Sequence, residues 1–217
     1  MTTFKPVIIL GAGGHASVLI DALQQSGRDI MGITDTDETL WDRELMGVEV
    51  LGDDEKIFNV HPERIELVNG LGSVKSTGAR QKLFEMWSMR GYTFASVIHP
   101  KAILAASVKA VAGVQILAGA IINPHTIIGA NTIVNTGAIL EHDCAIGNHV
   151  HLAPGVNIAG NVSIGSGTHV GIGSTIIQGV TIGDNCLIAA GCVVIQSVPT
   201  LSTVMGVPGR VVATKEG

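Results

Sequence analysis

Aromatic residues are missing from the second half of this 217-residue chain. All seven lie within the first 94 positions, the last being Phe94, and none of the following 123 residues is aromatic. Charge is also scarce there, because 23 of the 31 charged residues precede position 95. A domain that holds no aromatic ring has a narrow interior. The composition therefore predicts two domains, 1–94 and 95–217, that meet near Ala95 without a Gly/Ser-rich linker.

Other absences exclude whole classes of function. The formal net charge is −5 with no basic stripe, so we expect no nucleic-acid partner. No run of about 18 apolar residues occurs, so we expect no membrane span, and the first residues lack the pattern of a signal or transit peptide. The three cysteines all fall on a small interior position of the repeat described next, which predicts buried reduced thiols. Together these features predict a cytoplasmic protein that needs no metal.

The second domain carries a six-residue repeat. An aliphatic residue recurs at every sixth position, and a small residue follows each of them four positions later. A period of six fits neither an amphipathic helix nor a simple alternating strand. It is typical of stacked units that bury a continuous apolar column only by covering one another. The series is Ile98, Leu104, Ala110, Ile116, Ile122, Ile128, Val134, Leu140, Ile146, Leu152, Ile158, Ile164, Val170, Ile176, Ile182, Ile188 and Val194.

A second period of 18 residues separates Gly129, Gly147, Gly165 and Gly183. Three hexapeptides therefore make one coil, and the cross-section is a triangular prism with three short flat strands per turn. The mean hydropathy is +0.44, and aliphatic residues remain on the outside of this prism. They predict that its faces are covered in a closed ring of subunits. The outward-facing residues are Ile121, Ile127, Ile133, Ile139 and Val193.

The first domain alternates strands with helices. Residues 7–10 predict a buried strand, residues 11–16 a Gly-rich turn, and residues 17–26 a helix. Further strands are predicted at 29–34 and 65–68. A second turn of small residues at 69–73 precedes a helix that runs through Lys82 and Met89. This alternation predicts a parallel sheet in a Rossmann-like α/β domain.

The first turn nearly satisfies the dinucleotide fingerprint G-x-G-x-x-G/A, and Asp35 stands where an acidic residue would meet a ribose. Glycines at such a turn let backbone N–H groups approach a phosphate at the helix N-terminus. A tight turn without a ligand and an NAD site are the alternatives. A domain of about 95 residues offers only half of the usual doubly wound sheet, so a nucleotide-sugar is the favoured ligand.

Four segments carry a resemblance to a known family: G-A-G-G-H at 11–15, N-T-G-A-I-L-E-H-D-C at 135–144, residues 151–162, and G-V-P at 206–208. Residues 5–212 resemble bacterial sugar-nucleotide acetyltransferases, in which a Rossmann-like domain precedes a left-handed parallel β-helix of hexapeptide repeats. The chain is most similar to the UDP-4-amino-sugar N-acetyltransferases of bacillosamine biosynthesis, and more distantly to sialic acid O-acetyltransferases. The handedness of the helix is taken from this resemblance.

The resemblance implies a reaction and an assembly. Acetyl-CoA would give its acetyl group to the 4-amino group of a UDP-4-amino-4,6-dideoxy-N-acetylhexosamine, which forms UDP-N,N'-diacetylbacillosamine for glycan synthesis. The enzyme would be a homotrimer with active sites between subunits, and it would use no metal.

The catalytic assignments centre on a His-Asp pair. His142 and Asp143 leave the interior register and stand at an edge of the prism. An amine that attacks a thioester must lose a proton, a task that suits histidine, and an adjacent carboxylate orients the ring. The resemblance implies that His142 is the general base and Asp143 its acidic partner. A member of the family has Glu at the second position, so the sequence leaves open whether the shorter Asp143 touches the ring.

The resemblance implies roles for further residues as well. Gly160, 18 residues after His142, would stabilise the oxyanion through its backbone N–H, and Asn135 would orient the substrate. His125, His149 and His169 are interpreted as solvated turn residues. The sugar-nucleotide would contact Gly13, Gly14, His15, Asp35 and Gly72, and acetyl-CoA would contact His151, Gly160, Ile172 and Ala190.

Three alternatives remain at this point. The first is an O-acetyltransferase acting on a sialic acid or another sugar. The second is a γ-type carbonic anhydrase, which binds zinc through three histidines between subunits of a similar β-helix. That family has two histidines five residues apart, a spacing absent among those from His142 to His169. The third, a non-catalytic solenoid, leaves the Gly-rich turn and the His-Asp pair unexplained.

Overall fold

The computed structural model of the chain describes residues 4–214. Its N-terminal part is a five-stranded sheet of order β3-β4-β2-β1-β5, in which only β3 runs antiparallel to its neighbour. Short 3-10 turns at Glu38–Leu40 and Asp54–Asn59 follow β2 and β4. The elements in chain order are β1 (Val7–Leu10), α1 (Gly14–Gln25), β2 (Ile30–Thr34), β3 (Glu44–Leu45), β4 (Val48–Gly52), β5 (Glu66–Asn69) and α2 (Gly78–Met89).

The predicted parallel sheet is confirmed, with two differences. Helix α1 begins at Gly14 rather than at residue 17, because Gly13 already occupies the N-cap position with an extended backbone. The sequence also predicts no hairpin between β2 and β5. In the structure β3 and β4 form one and add two strands to the edge of the sheet.

Seventeen two-residue strands follow, each ending at a residue of the six-residue series. They stack in parallel with an 18-residue register, for example His151 beside His169, and make three faces. We call these face I (β6, β9, β12, β15, β18, β21), face II (β7, β10, β13, β16, β19, β22) and face III (β8, β11, β14, β17, β20). A hairpin of β23 (Ser202–Met205) and β24 (Arg210–Thr214) extends face I at the far end.

The bounds of the short strands are β6 Val97–Ile98, β7 Ile103–Leu104, β8 Lys109–Ala110, β9 Gln115–Ile116, β10 Ile121–Ile122, β11 Ile127–Ile128, β12 Ile133–Val134, β13 Ile139–Leu140, β14 Ala145–Ile146, β15 His151–Leu152, β16 Asn157–Ile158, β17 Ser163–Ile164, β18 His169–Val170, β19 Thr175–Ile176, β20 Thr181–Ile182, β21 Leu187–Ile188 and β22 Val193–Val194.

The interior of the prism is a single apolar column. Every residue of the series from Ile116 to Val194 is buried there, together with the small residues that follow them. The three cysteines are free and buried, as predicted. The first coil differs, because Ile98 is 43% exposed and Ala110 is also exposed. No earlier coil covers that end of the solenoid, so the predicted interior series is buried only from its fourth member onward.

The glycines spaced by 18 residues lie where one coil contacts the backbone of the next. A Cβ atom on Gly129 would stand 2.5 Å from the carbonyl carbon of Gly147, and one on Gly165 would stand 2.5 Å from the amide of Asp184. Real Cβ atoms do not approach backbone atoms that closely. The second period of the sequence is therefore a packing requirement between coils.

Face I of the prism is covered by the N-terminal domain. Leu117 and Ile133 belong to the same apolar cluster as one side of β1 and helix α1. Ile133 is fully buried in this way, so the prediction that it lies on a free outer face is wrong. Ile127 is half exposed, and Ile121, Ile139 and Val193 are partly exposed. The four uncovered members of the predicted outward-facing set thus lie on faces II and III.

Both α-helices within residues 4–214 have 12 residues, and neither is long and apolar enough to cross a membrane.

Candidate active site

The first Gly-rich turn leaves its backbone open on one side. Gly11 has a positive φ of 96°, which suits glycine, and Gly13 caps helix α1. A Cβ atom on Gly13 or Gly14 would meet nothing within 4 Å. These two glycines are therefore not required by packing, and the space beside them is free for a ligand at the helix N-terminus.

Asp35 holds this turn in place. Its Oδ2 accepts a 2.7 Å hydrogen bond from the amide of Ala12, and its Oδ1 accepts one of 2.9 Å from the amide of Asp37. The carboxylate also lines a cavity of about 170 Å³ next to Thr36 and Asp54. The structure therefore gives Asp35 a backbone-fixing role beside the ligand space.

His15 joins the first turn to the β-helix. Its Nε2 lies 2.7 Å from Oε1 of Gln115, whose amide group donates to the carbonyl of Asn69 at 2.8 Å. Because the Gln115 oxygen can only accept, His15 donates through Nε2. Gly72 packs on the ring, since a Cβ there would lie 3.3 Å from that of His15. Burial lowers the pKa of His15 to about 4, with a further contribution from the charge of Arg80.

Two adjoining cavities run along the seam between the domains. The first, which we call the turn cleft, has about 560 Å³ and is lined by both Gly-rich turns, including Gly13, Gly14, His15 and Gly72. The second, the coil groove, has about 510 Å³ and is lined along the coils by His151, His169, Ile172 and Ala190. The two share Ser73, Val74, Asn135, His151 and Pro154. The structure thus brings most of the two predicted sets of binding residues into one continuous depression, whereas the predicted ligand contacts Asp35 and Gly160 line neither cavity.

Polar side chains meet where the turn cleft joins the coil groove. Ser73 Oγ lies 2.6 Å from Nδ1 of His151 and 3.2 Å from Nδ1 of His169, and Asn135 Nδ2 lies 3.1 Å from Nε2 of His151. Burial lowers the pKa of His151 to about 2, with His169 as the next cause, and burial also lowers the pKa of His169. Both rings are therefore neutral at pH 7.

The buried histidines predict a loss of stability in mild acid. Their folded-state pKa values lie below the ordinary 6.5, so the unfolded chain binds more protons as the pH falls below 6.5. The free energy of unfolding should decrease by up to about 1.4 kcal/mol per pH unit for each ring, down to about pH 4 for His15. Thermal unfolding between pH 7 and 4.5 measures this slope. His15→Gln should reduce the dependence of the free energy of unfolding on pH. If this dependence is as steep in the variant as in the wild type, His15 does not contribute to it.

The His-Asp pair forms at the edge between faces II and III. Nδ1 of His142 lies 2.7 Å from Oδ2 of Asp143, and both side chains are 53% exposed. Asp143 takes a positive φ of 59°, which turns its carboxylate back toward the preceding ring. The shorter acidic side chain therefore reaches the imidazole directly.

Gly160 lies against the His142 ring from the next coil. A Cβ atom on Gly160 would be 2.7 Å from both Cε1 and Nε2 of His142, so a larger residue there would displace the ring from this position. The amide of Gly160 donates no hydrogen bond to another residue within 4–214, whereas the neighbouring Asn161 amide donates to the His142 carbonyl at 2.9 Å. The ring edge and a free backbone N–H therefore lie side by side.

Within one chain, His142 and Asp143 do not lie at the coil groove. Asn135, Pro154, Ile172 and Ala190 follow strands of face I, so they lie at the edge between faces I and II. His142, Asp143 and Gly160 follow strands of face II and lie at the next edge. None of those three lines the coil groove or the turn cleft. The predicted site residues thus form two groups separated by the width of face II.

The histidines do not form a metal centre in the part of the chain that the structure describes. Residues 4–214 contain no group of three or more His, Cys, Asp or Glu side chains placed to hold a metal ion.

Comparison with known proteins agrees with this architecture. Residues 6–87 match the PglD N-terminal domain family, and residues 125–160 and 161–196 match the bacterial transferase hexapeptide family. A solved structure of a histidine-to-alanine mutant of GDP-perosamine N-acetyltransferase from Caulobacter crescentus, with CoA and GDP-perosamine, is similar with a TM-score of 0.89. It is 35% identical over 97% of this chain and 98% of its own. The chain belongs to the sugar-nucleotide N-acetyltransferases.

Two other structures share the fold. The acetyltransferase domain of PglB from Neisseria gonorrhoeae, in complex with acetyl coenzyme A, has a TM-score of 0.88 at 26% identity, covering 97% of this chain and 100% of that one. WeeI from Acinetobacter baumannii has a TM-score of 0.85 at 23% identity, covering 96% and 100%. No curated protein sequence matches the chain. As a member of this family, the protein is an acetyl-CoA-dependent N-acetyltransferase with a left-handed β-helix.

Three residues of this candidate site were not predicted from the sequence. Gln115 shares the 18-residue register with His151 and His169, so the repeat contained a signal for it. Ser73 and Arg80 gave no such signal, because they come from the other domain. Arg80 is buried and donates to the carbonyls of Asn69 and Leu71 at 2.9 and 2.7 Å, which fixes the second turn.

Proposed function

We propose that the protein acetylates the 4-amino group of a UDP-4-amino-4,6-dideoxy-N-acetylhexosamine, and so forms UDP-N,N'-diacetylbacillosamine as a glycan precursor. The observation that carries this proposal is the junction of the turn cleft and the coil groove at Ser73, Asn135 and His151. A nucleotide-sugar whose diphosphate lies on the first turn would bring its sugar to the end of the groove. Acetyl-CoA in the groove would bring its thioester to the same place.

A GDP-linked amino sugar is the second candidate. It is favoured by the Caulobacter crescentus relative, whose structure holds CoA and GDP-perosamine at 35% identity to this chain. The UDP proposal is supported by the resemblance of the segments at 11–15 and 135–144 to the UDP-4-amino-sugar N-acetyltransferases. A panel of UDP-, GDP- and dTDP-linked 4-amino sugars, assayed for CoA release, decides between them. A matched set of 4-hydroxy sugars tests O-acetylation, and turnover of those alone would overturn the proposal.

His142 is proposed as the general base. Its Nδ1 donates to Asp143, which leaves the Nε2 lone pair to take the proton of the attacking amine. The amine nitrogen bonds to the thioester carbon, the C–S bond breaks, and the protonated ring returns the proton to the CoA sulfur. The free amide of Gly160 stands beside Nε2 and is proposed to stabilise the oxyanion. Asn135 is proposed to orient the sugar at the junction.

The base is proposed to act on the groove of a neighbouring subunit in a homotrimer. The placement of His142 and the coil groove at different edges supports this, because a three-fold axis can set one edge against the other. The exposed or partly exposed Ile121, Ile127 and Ile139 supply apolar surface for that contact. Each site would then combine the turn cleft and groove of one subunit with the His-Asp pair of the next.

The place of the diphosphate is tested by Gly13→Val. The added side chain meets no protein atom within 4 Å at its Cβ, so the fold should be retained. It would instead fill the space that the phosphates need, and KM for the sugar-nucleotide should rise about tenfold or more while Kd for acetyl-CoA stays the same. Gly13→Ala is the graded control. Unchanged KM in both variants would place the nucleotide elsewhere.

A further inference from the structure

Asn135 fixes the direction of a hydrogen-bond network in the coil groove. Its Oδ1 accepts a 2.8 Å hydrogen bond from the backbone N–H of Thr136, which identifies the other terminal atom as the NH₂ group. That group lies 3.1 Å from Nε2 of His151 and must donate to it. Nε2 of His151 is therefore an acceptor without a proton.

The donor-to-acceptor order of these hydrogen bonds continues at Ser73. A neutral His151 with an unprotonated Nε2 carries its proton on Nδ1, which donates to Ser73 Oγ at 2.6 Å. The Ser73 hydroxyl then has its own proton to donate, and the remaining partner is Nδ1 of His169 at 3.2 Å. The two stacked histidines therefore hold opposite tautomers: Nδ1–H in His151 and Nε2–H in His169.

The last donor of this network has no acceptor in the described part of the chain. Nε2 of His169 makes no hydrogen bond to any residue from 4 to 214, and it is not among their buried atoms that lack a partner. His169 lines the coil groove between Ile172 and Leu187, in a wall that is otherwise mostly apolar. An unpaired N–H donor on a residue that lines the groove is suited to a carbonyl oxygen of the bound ligand.

We infer that His169 binds a carbonyl oxygen of acetyl-CoA through Nε2–H, and that Ser73 is the positioning residue that holds His169 in this tautomer. This inference rests on the proposed function, in which acetyl-CoA occupies the coil groove. It has a structural consequence. Ser73 belongs to the second turn of the N-terminal domain, so the donor in the groove depends on how that turn is docked on face I.

The tautomers can be measured without any substrate. In protein with ¹⁵N-labelled histidine, long-range ¹H–¹⁵N spectra distinguish Nδ1–H from Nε2–H rings, and the His151→Asn and His169→Leu variants identify the two sets of signals. We expect Nδ1–H in His151 and Nε2–H in His169. In Ser73→Ala the His169 signals should become a mixture of tautomers, whereas Ser73→Thr should keep the original signals. A wild-type His169 in the Nδ1–H form would overturn the inference whatever the enzyme acts on.

Ligand affinity tests the donor itself. His169→Leu should fold, because Leu187 occupies the same register in the next coil. It should weaken acetyl-CoA binding by about three- to tenfold, the usual size for one neutral hydrogen bond, and His169→Gln, which keeps an N–H donor, should weaken it less. Titration calorimetry with CoA and acetyl-CoA identifies the carbonyl. An equal loss for both indicates a pantetheine amide, and a loss for acetyl-CoA alone indicates the thioester.

Some results would contradict the inference while the proposed function stands. Unchanged affinity for both ligands in His169→Leu, with wild-type Tm and normal turnover of an amino-sugar nucleotide, would remove His169 from the binding site. Absence of turnover by the wild type on every sugar-nucleotide would instead contradict the proposed function, and the tautomer measurement would remain valid.

Discussion

Replacing His142 with alanine is expected to lower kcat/KM by about 10²-fold or more, the usual effect of removing a general base. The variant keeps the coil groove intact, because His142 does not line it, so Kd for acetyl-CoA should change little. CoA release with saturating acetyl-CoA and a 4-amino sugar nucleotide measures the first quantity, and titration calorimetry measures the second. Turnover close to that of the wild type would exclude His142 from the mechanism.

Two companion variants sharpen this result. Asp143→Asn should reduce kcat less than His142→Ala, because it removes the charge at 2.7 Å from Nδ1 but leaves the base in place. His125→Ala is the control, since His125 is an exposed histidine at the same prism edge one coil earlier. It should leave kcat/KM unchanged. If Asp143→Asn has no effect, Glu141 becomes the residue to test as the partner of the ring.

Mixing the impaired Gly13→Val and His142→Ala variants is expected to restore activity at sugar-nucleotide concentrations below the KM of Gly13→Val. If each site takes its base from one subunit and its cleft and groove from the next, a trimer can combine the intact base of Gly13→Val with the intact cleft of His142→Ala. Random reassembly of equal amounts would make about a quarter of the sites complete. Unfolding and refolding the mixture, followed by the CoA-release assay, measures the recovered fraction. Each variant treated alone in the same way is the control.

Two outcomes separate the assembly from the shared site. A monomeric mass by light scattering at micromolar concentration would contradict the homotrimer. A trimeric mass without recovered activity in the mixture would contradict only the shared site. In that case His142 would have to reach the groove of its own chain, across the width of face II.

The sequence predicted the β-helix more accurately than the N-terminal domain. A six-residue period leaves little freedom, since each coil fixes the next, and each of the 17 series residues ends a strand. The strands and helices of the N-terminal domain follow no repeat, so the position of one does not determine the position of the next. The start of α1 was misplaced by three residues because the capping role of Gly13 depends on its backbone angles, and the β3–β4 hairpin carries no apolar run long enough to be recognised.

The sequence by itself determined that His142, Asp143 and Gly160 lie together at one edge of the prism, and the structure decided that Asp143 reaches the ring. The pair is adjacent in the chain, and a spacing of 18 places Gly160 over the ring in any coil of three hexapeptides. His151 follows His142 by nine residues, half a coil, so the same period also sets the two on different sides of the prism. The repeat is sufficient to place Gly160 beside His142 and to place His151 on another side of the prism.

Only the tertiary structure decided what covers face I. Ile133 has the same repeat position as Ile121 and Ile139, yet it is buried because the N-terminal domain packs on that one face. The contacts of Ser73 with His151 and His169 arise from the same docking, which joins residues 78 and 96 positions apart. No period in the chain encodes such a contact. The contact depends on how the N-terminal domain packs on face I. This packing determines which ring nitrogen of His169 is the donor in the coil groove.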